Sequence, residues 1–235
     1  MLYPPEQRVL GAARAQVHAL TGDPNHTVAA AAMDTTGRIH TAVNAYHFTG
    51  GPCAELAVLA VAAAAGAGPL VTMVAVGDRD RDVIAPCGRC RQVLLDQHPD
   101  CSVIIPNEGD FELINVRSLL PHSYVYPDAA PERFVRFSAR YYDSVAAGAK
   151  TATTRWNDPC APGPAWFLFE FDDEYRRLAG VIDSVASKRF DEIDDDDAHL
   201  EQCDSADELR EGLRLHYPQI TDSDRVDVVR FHVIR

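Results

Sequence analysis

The sequence lacks any apolar run of the roughly 18 residues that a membrane-spanning helix needs. Its longest, Leu56 to Ala67, is mostly alanine and is broken by Gly66 and then Gly68. No membrane association is therefore expected. The start, MLYPPEQRVL, sets two prolines and a glutamate where a secretory leader carries a basic end and an apolar stretch, so a cytoplasmic location is expected. Lysine is scarce, present only at Lys150 and Lys188, and the formal net charge is −13. Such a charge repels phosphate backbones at long range and speaks against a non-specific nucleic-acid binder. Small neutral or cationic ligands suit it better. Apolar residues are plentiful, at 46% of 235, enough to bury a core in one large domain or two modest ones.

Composition changes near residue 128. Lysine is absent before it, and both parts are acidic: 8 Arg face 13 Asp+Glu in the first, 14 Lys+Arg face 22 Asp+Glu in the second. Tyr126 to Glu132 (YPDAAPE) has the prolines and small residues of an interdomain linker. Two domains are expected, over residues 1–128 and 131–235.

In the first, Glu6 to Leu20 follows two prolines as an amphipathic helix. Thr27 to Met33 and Ile39 to Tyr46 are expected to form a hairpin around Thr36-Gly37. A helix from Gly50-Gly51-Pro52 to about Ala65, a buried strand Leu70 to Gly77 and a charged loop Asp78 to Asp82 come next. A helix from Pro86-Cys87 to about Gln97, a strand Ser102 to Pro106 and a short helix Val116 to Leu120 close the domain. Strands alternating with helices indicate an α/β sandwich with a mixed sheet. The second domain reads as Phe134 to Ala147, helical late on, a polar segment Lys150 to Trp156, strands Ala165 to Phe171 and Leu178 to Val185, a helix Asp207 to His216 and a strand Arg225 to Val233. Strands dominate it, which suggests a small β-barrel with flanking helices.

Six cysteines in an unexported chain should be reduced thiols. Cys101, Cys160 and Cys203 stand alone and are read as ordinary residues. Cys53 lies in GGPCAEL and Cys87 and Cys90 in APCGRCRQ, each group opening a helix. Positions i and i+3 share a helix face, so Cys87 and Cys90 can reach one ion. The positive partial charge of a helix N-terminus favours the thiolate that binds zinc. Three thiolates without an obvious fourth ligand match a catalytic zinc site, with the open position left for water and Glu55 beside it. A C-x-x-C alone would equally suit a redox pair or a structural site completed by Cys101 or His47. The pairing of C-A-E with P-C-x-x-C favours catalysis of the kind nucleobase deaminases perform: zinc lowers the pKa of a water and a non-ligand glutamate moves protons. Arg89 and Arg91 are candidates to offset the thiolate charge.

With VNAYHFTGGPCAEL, APCGRCRQVLLD and LLPHSYVYPD, residues from about 28 to 128 resemble blasticidin S deaminase, a member of the cytidine deaminase superfamily. The resemblance implies a three-layer cytidine deaminase-like sandwich, a homotetramer, zinc on Cys53, Cys87 and Cys90, and Glu55 as proton shuttle. It also places Asn44, Ala54, Tyr124 and Tyr126 at the substrate. Asn44-Ala45-Tyr46 lacks the glutamate with which cytidine deaminases grip ribose, which loosens discrimination of the sugar. From Phe134 to Val233, YYDSVAAGAKTATTRW and RFDEIDDDDAHLEQ resemble an ASCH domain, a PUA-like barrel associated with RNA and with hydrolysis of acylated cytidines. In its hydrolytic members a lysine, a threonine three residues on and a glutamate act together; Lys150 and Thr153 match, and Glu201 is the candidate for the third. The expected activity is zinc-dependent deamination of a cytosine nucleoside or cytosine-nucleoside antibiotic. The alternative is an RNA-binding protein or acylcytidine amidohydrolase to which the first domain is accessory.

Overall fold

A computed structural model describes residues 2–20, 22–127 and 129–234. Asp128, the expected end of the first domain, lies outside the described residues, as do Met1 and Arg235 at the outer ends of the two domains. The chain divides into two compact units, residues 2–134 with 171–176, and residues 135–170 with 177–234. No helix among the described residues is long and apolar enough to cross a membrane.

In the first unit α1 (Pro4–His18) opens with proline, whose fixed φ and missing N–H suit a first helical turn. Then follow β1 (Val28–Asp34), β2 (Ile39–Val43), α2 (Ala54–Ala64), β3 (Leu70–Gly77), β4 (Asp82–Ile84), α3 (Gly88–Gln97), β5 (Ser102–Asn107), β6 (Asp110–Asn115) and α4 (Val116–Leu119). The sheet runs β2-β1-β3-β5-β6, with β4 also on β3. β3 and β5 are parallel and the other pairs antiparallel, so the sheet is mixed. β4 pairs with Ala75 to Gly77 and β5 with Thr72 and Met73, so the two share β3 end to end.

Alternation along the strands explains the layers. Ala30, Ala32, Met73 and Ala75 pack with Ala54 and Val58 of α2 and Leu94 of α3, while α1 packs against β1 and β3, burying Val9, Leu10, Ala13 and Val17. The result is the expected helix, sheet, helix sandwich. Alanine along β1 lets the helices approach closely. β4 and β6 were not expected from the sequence: β4 has only three residues and follows a polar turn with positive φ at Arg79 and Asp80, while β6 follows a turn with positive φ at Glu108 and does alternate, Phe111 and Leu113 with Asp110 and Glu112.

The second unit holds β7 (Phe134–Ser138), α5 (Tyr142–Ala146), β8 (Ala152–Arg155), β9 (Gly163–Glu170), β10 (Tyr175–Arg189), α6 (Asp195–Leu200), α7 (Ala206–His216) and β11 (Arg225–Val233). The ends of β7 and β10 belong to the first unit. The strands form one sheet in the order β7-β9-β10-β11-β8. Phe137, Phe167, Phe169 and Phe231 cluster within it. The segment expected as polar, Lys150 to Trp156, contains strand β8, all four residues of which are buried, paired with β11. The acidic stretch before α6 is a reciprocal cap, Asp194 accepting from the Asp197 N–H and Asp197 from the Asp194 N–H.

Candidate active site

α2 and α3 lie side by side on one face of the first sheet, and both begin at a cysteine. Cys53 is the N-cap of α2 and Cys87 the N-cap of α3, with Cys90 one turn further on. Packing of Ala54 and Val58 against Leu94 brings the two helix starts together. Cys53 Sγ is 3.9 Å from Cys87 Sγ, which is 3.5 Å from Cys90 Sγ, and all three sulfurs lie within 4.8 Å of one another. A tetrahedral ion with metal–sulfur bonds of about 2.3 Å holds its sulfurs about 3.8 Å apart, so the donor set fits zinc. Among the described residues this is the one group of three or more candidate ligands so arranged. Cys101, considered as a fourth ligand, is fully buried in the core, and exposed His47 is bonded to the Thr49 hydroxyl at 2.5 Å.

The thiols differ. Burial pushes Cys90 well above the usual thiol range, with the nearby Glu55 carboxylate adding to it. Burial likewise raises Cys53. Cys87, exposed at the rim, is held below its ordinary value: partial burial opposes this, but the backbone N–H groups of Cys90 and Arg89 favour its thiolate. Three sulfur donors gathered at one point form a site that a divalent ion would complete.

Glu55 stands two residues into α2 and is 6% exposed. Burial raises its carboxyl above the ordinary range, while its own backbone N–H and Cys90 act in the opposite direction. Such a group holds and releases a proton more readily near neutrality than a solvated glutamate does. Ala54 is fully buried, so its side chain fills core; its N–H lies among those that a helix start leaves without an intrahelical partner.

The remaining expected site residues are more dispersed. The Asn44 side-chain oxygen accepts from the N–H groups of Thr27 and Val28, both at 2.8 Å, and its amide nitrogen donates to the Asn25 carbonyl. The side chain thus clamps the start of β1. Its neighbours form a closed loop: the Ala45 N–H donates to the Pro52 carbonyl, and a Cβ on Gly51 would lie 1.8 Å from the Ala45 oxygen, so only glycine fits. Tyr124 is exposed, and its carbonyl accepts from Gln92 on α3. Tyr126 lines a cleft of about 430 Å³ with Val93, Asp96, Gln97 and His98, towards the end of α3 away from the thiols. Arg89 is exposed; Arg91 donates to the carbonyls of Pro86 and Leu119. The sequence reading passed over Gln92, whose only signal was its place two residues after Cys90.

In the second unit Lys150 Nζ donates to Glu201 Oε2 at 2.9 Å and to the Glu201 carbonyl at 3.3 Å, and lies 4.7 Å from the centre of the Tyr141 ring. Glu201 Oε1 accepts from Thr154, at 2.5 Å. Adjacent strand residues face opposite ways, which puts Thr153 on the other face of β8 from this cluster.

No protein-family model matches the chain. It is 34% identical over 111 residues to a blasticidin-S deaminase of Bacillus cereus, covering 43% of this chain and 79% of that one. It is 35% identical over 108 residues to a cytidine deaminase of Mycobacterium tuberculosis, covering 45% and 78%. A solved ASCH domain from Lactobacillus crispatus is similar over 43% of this chain and 79% of its own, at 16% identity and a TM-score of 0.37. With three thiols and a buried glutamate gathered at two helix starts, and two relatives each matched over more than three quarters of their length, the chain belongs to the family of cytidine and blasticidin-S deaminases.

Proposed function

We propose that the protein is a zinc-dependent deaminase of cytosine nucleosides or cytosine-nucleoside antibiotics, releasing ammonia and the uracil product. The observation that carries this reading is the juxtaposition of Cys53, Cys87 and Cys90, within 4.8 Å of one another, with Glu55 buried at the same helix start. Zinc held by the three thiolates would supply Lewis-acid activation of a water. The Glu55 carboxylate would take a proton from the attacking water and deliver it to the ring nitrogen, then take the proton left on the newly added hydroxyl and pass it to the amine, which leaves as ammonia. The exposed position of Cys87 leaves the site open to a small molecule. We assign residues 1–128 to the deaminase-like domain and 131–235 to an ASCH-like domain. The exposed face of α2, with Ala60, Val61, Ala63 and Ala64, supports assembly into a homotetramer.

The test is ammonia release from cytidine, deoxycytidine and blasticidin S by zinc-quantified protein, with Glu55→Ala alongside. Turnover by the wild type alone supports the reading and ranks the substrates. Absence of turnover on all three, with one zinc per chain, would overturn the substrate class. A second reading has one observation behind it, the pairing of Lys150, 2% exposed, with Glu201. It is hydrolysis of acylated cytidine by the second domain. Loss of that hydrolysis in Lys150→Ala would support it, and absence of hydrolysis by the wild type would remove it.

A further inference from the structure

The chain after α4 does not leave the site directly. Arg91, next to Cys90, spans two carbonyls: Nε donates to Pro86 at 2.8 Å, immediately before Cys87, and Nη1 to Leu119 at 3.0 Å, at the end of α4. Five residues on, the Tyr124 carbonyl accepts from Gln92 Nε2 at 3.0 Å. The other hydrogen of that amide goes to Asp96 Oδ1 at 2.9 Å, one helical turn away, which fixes the glutamine's direction. Between the two fastenings the chain turns at Pro121 and at His122, where φ is +55°. Farther along, Tyr126, Ala129 and Glu132 line the cleft beside Val93 and Gln97, and the Arg133 guanidinium and the Phe134 N–H close on Asp100. The segment therefore runs along α3 from its thiol-bearing start to beyond its end.

We propose that Gln92, oriented by Asp96, is a positioning residue that latches segment 120–127 onto α3 and so sets the rim of the thiol site. This rests on the deaminase reading above. Gln92 lies two residues from Cys90, a rise of about 3 Å along the helix, so the latch meets α3 at the level of its thiol-bearing first turn. Tyr124 and Val125 are 67% and 79% exposed, large apolar side chains on the segment that the latch holds at that end of α3. A ligand entering past Cys87 would gain their surface only while the latch is closed. Gln92 touches no reacting atom, so its part is in binding rather than in the chemical step.

The experiment compares wild type, Gln92→Leu and Gln92→Lys, all as full-length zinc-loaded protein. Leucine keeps the volume and removes both hydrogen bonds; lysine restores donors that can reach Asp96 and the Tyr124 carbonyl. We expect Gln92→Leu to raise KM for cytidine about tenfold, the worth of one hydrogen bond, with kcat within about twofold and zinc content unchanged. Chymotrypsin should cleave after Tyr124 about tenfold faster in the leucine variant, and Gln92→Lys should restore both properties. Unchanged KM, or a fall in kcat together with loss of zinc, would overturn the positioning role. If the wild type does not deaminate cytidine, the deaminase reading falls by itself. Cleavage then still decides the latch: an unchanged rate in Gln92→Leu overturns it, and a faster rate reversed by lysine supports it.

Discussion

The two units each bury ionisable groups at a helix end, and they do so in opposite ways. In the first, three thiols meet one another and a buried carboxyl, with Cys87 open to solvent. In the second, the Lys150 ammonium faces two oxygens of Glu201 and the Tyr141 ring, and Glu201 in turn accepts from Thr154. The first set gathers three sulfur donors at one point, one of them open to solvent, the condition of a site that can take a ligand. The second is closed: lysine has three donors, and three groups receive them. Burial alone therefore does not mark a reactive group; what its partners leave unsatisfied does. A substrate of the second unit would have to displace Glu201 or Thr154 before reaching Lys150.

That contrast can be broken at either end. The largest effect is expected at Glu55. Glu55→Gln keeps the shape and removes the proton carrier, and should lower kcat for cytidine at least a thousandfold while zinc content, measured by elemental analysis, stays at the wild-type value. Loss of zinc instead would make Glu55 part of the metal-holding structure. Next comes Lys150→Met, which strands the Glu201 carboxylate in the interior and should lower unfolding free energy by about 3–5 kcal/mol in urea titration. The double variant with Glu201→Leu should regain most of that loss. If the single variant is as stable as wild type, the network is not the closed staple its hydrogen bonds describe.

A smaller effect is pH-dependent. Burial holds His98 well below its ordinary value of 6.5, at about 4, against the opposing pull of Asp100, and its Nδ1 accepts from the Leu70 N–H at 3.3 Å. Above pH 6.5 the folded and unfolded chains both carry neutral imidazole. Between about 6.5 and about 4 only the unfolded chain takes the proton, so stability falls as pH falls through that window, by up to about 3 kcal/mol. His98→Asn should flatten that slope in urea titrations at pH 7 and pH 5. The smallest change is expected from Asn44→Ala, which leaves the Thr27 and Val28 N–H groups without their acceptor and should cost about 1–2 kcal/mol of stability. An additional large rise in KM for cytidine would show that Asn44 also serves the ligand.

The sequence exposed the thiol site because its chemistry is local. Cys87 and Cys90 share a helix turn, Cys53 and Glu55 open another helix, and glycine and proline mark both starts. It was weaker where position depends on partners distant in the chain. β8 read as polar because its threonines and Arg155 carry no apolar pattern, yet pairing with β11 buries all four of its residues. β4, three residues long, is too short to show a period of two, whereas the alternation of Phe111 and Leu113 with Asp110 and Glu112 did mark β6. The choice of Thr154 over Thr153 at Glu201 is a matter of which strand face meets α6, and one residue of register decides it.

By itself the sequence determined the alternation of helices and strands and the grouping of cysteines and a glutamate at two helix starts, because helix starts, hydrophobic periods and C-x-x-C spacing act within a few residues. Only the tertiary structure decided that the two helix starts meet, that Asn44 clamps β1, that Lys150 is enclosed by Glu201 and Tyr141, and that Gln92 holds the chain after α4. Each of these joins groups far apart in sequence. Their distances come from the packing of α2 and α3 on the first sheet, and of α6 on β8 in the second unit, and no local pattern records them.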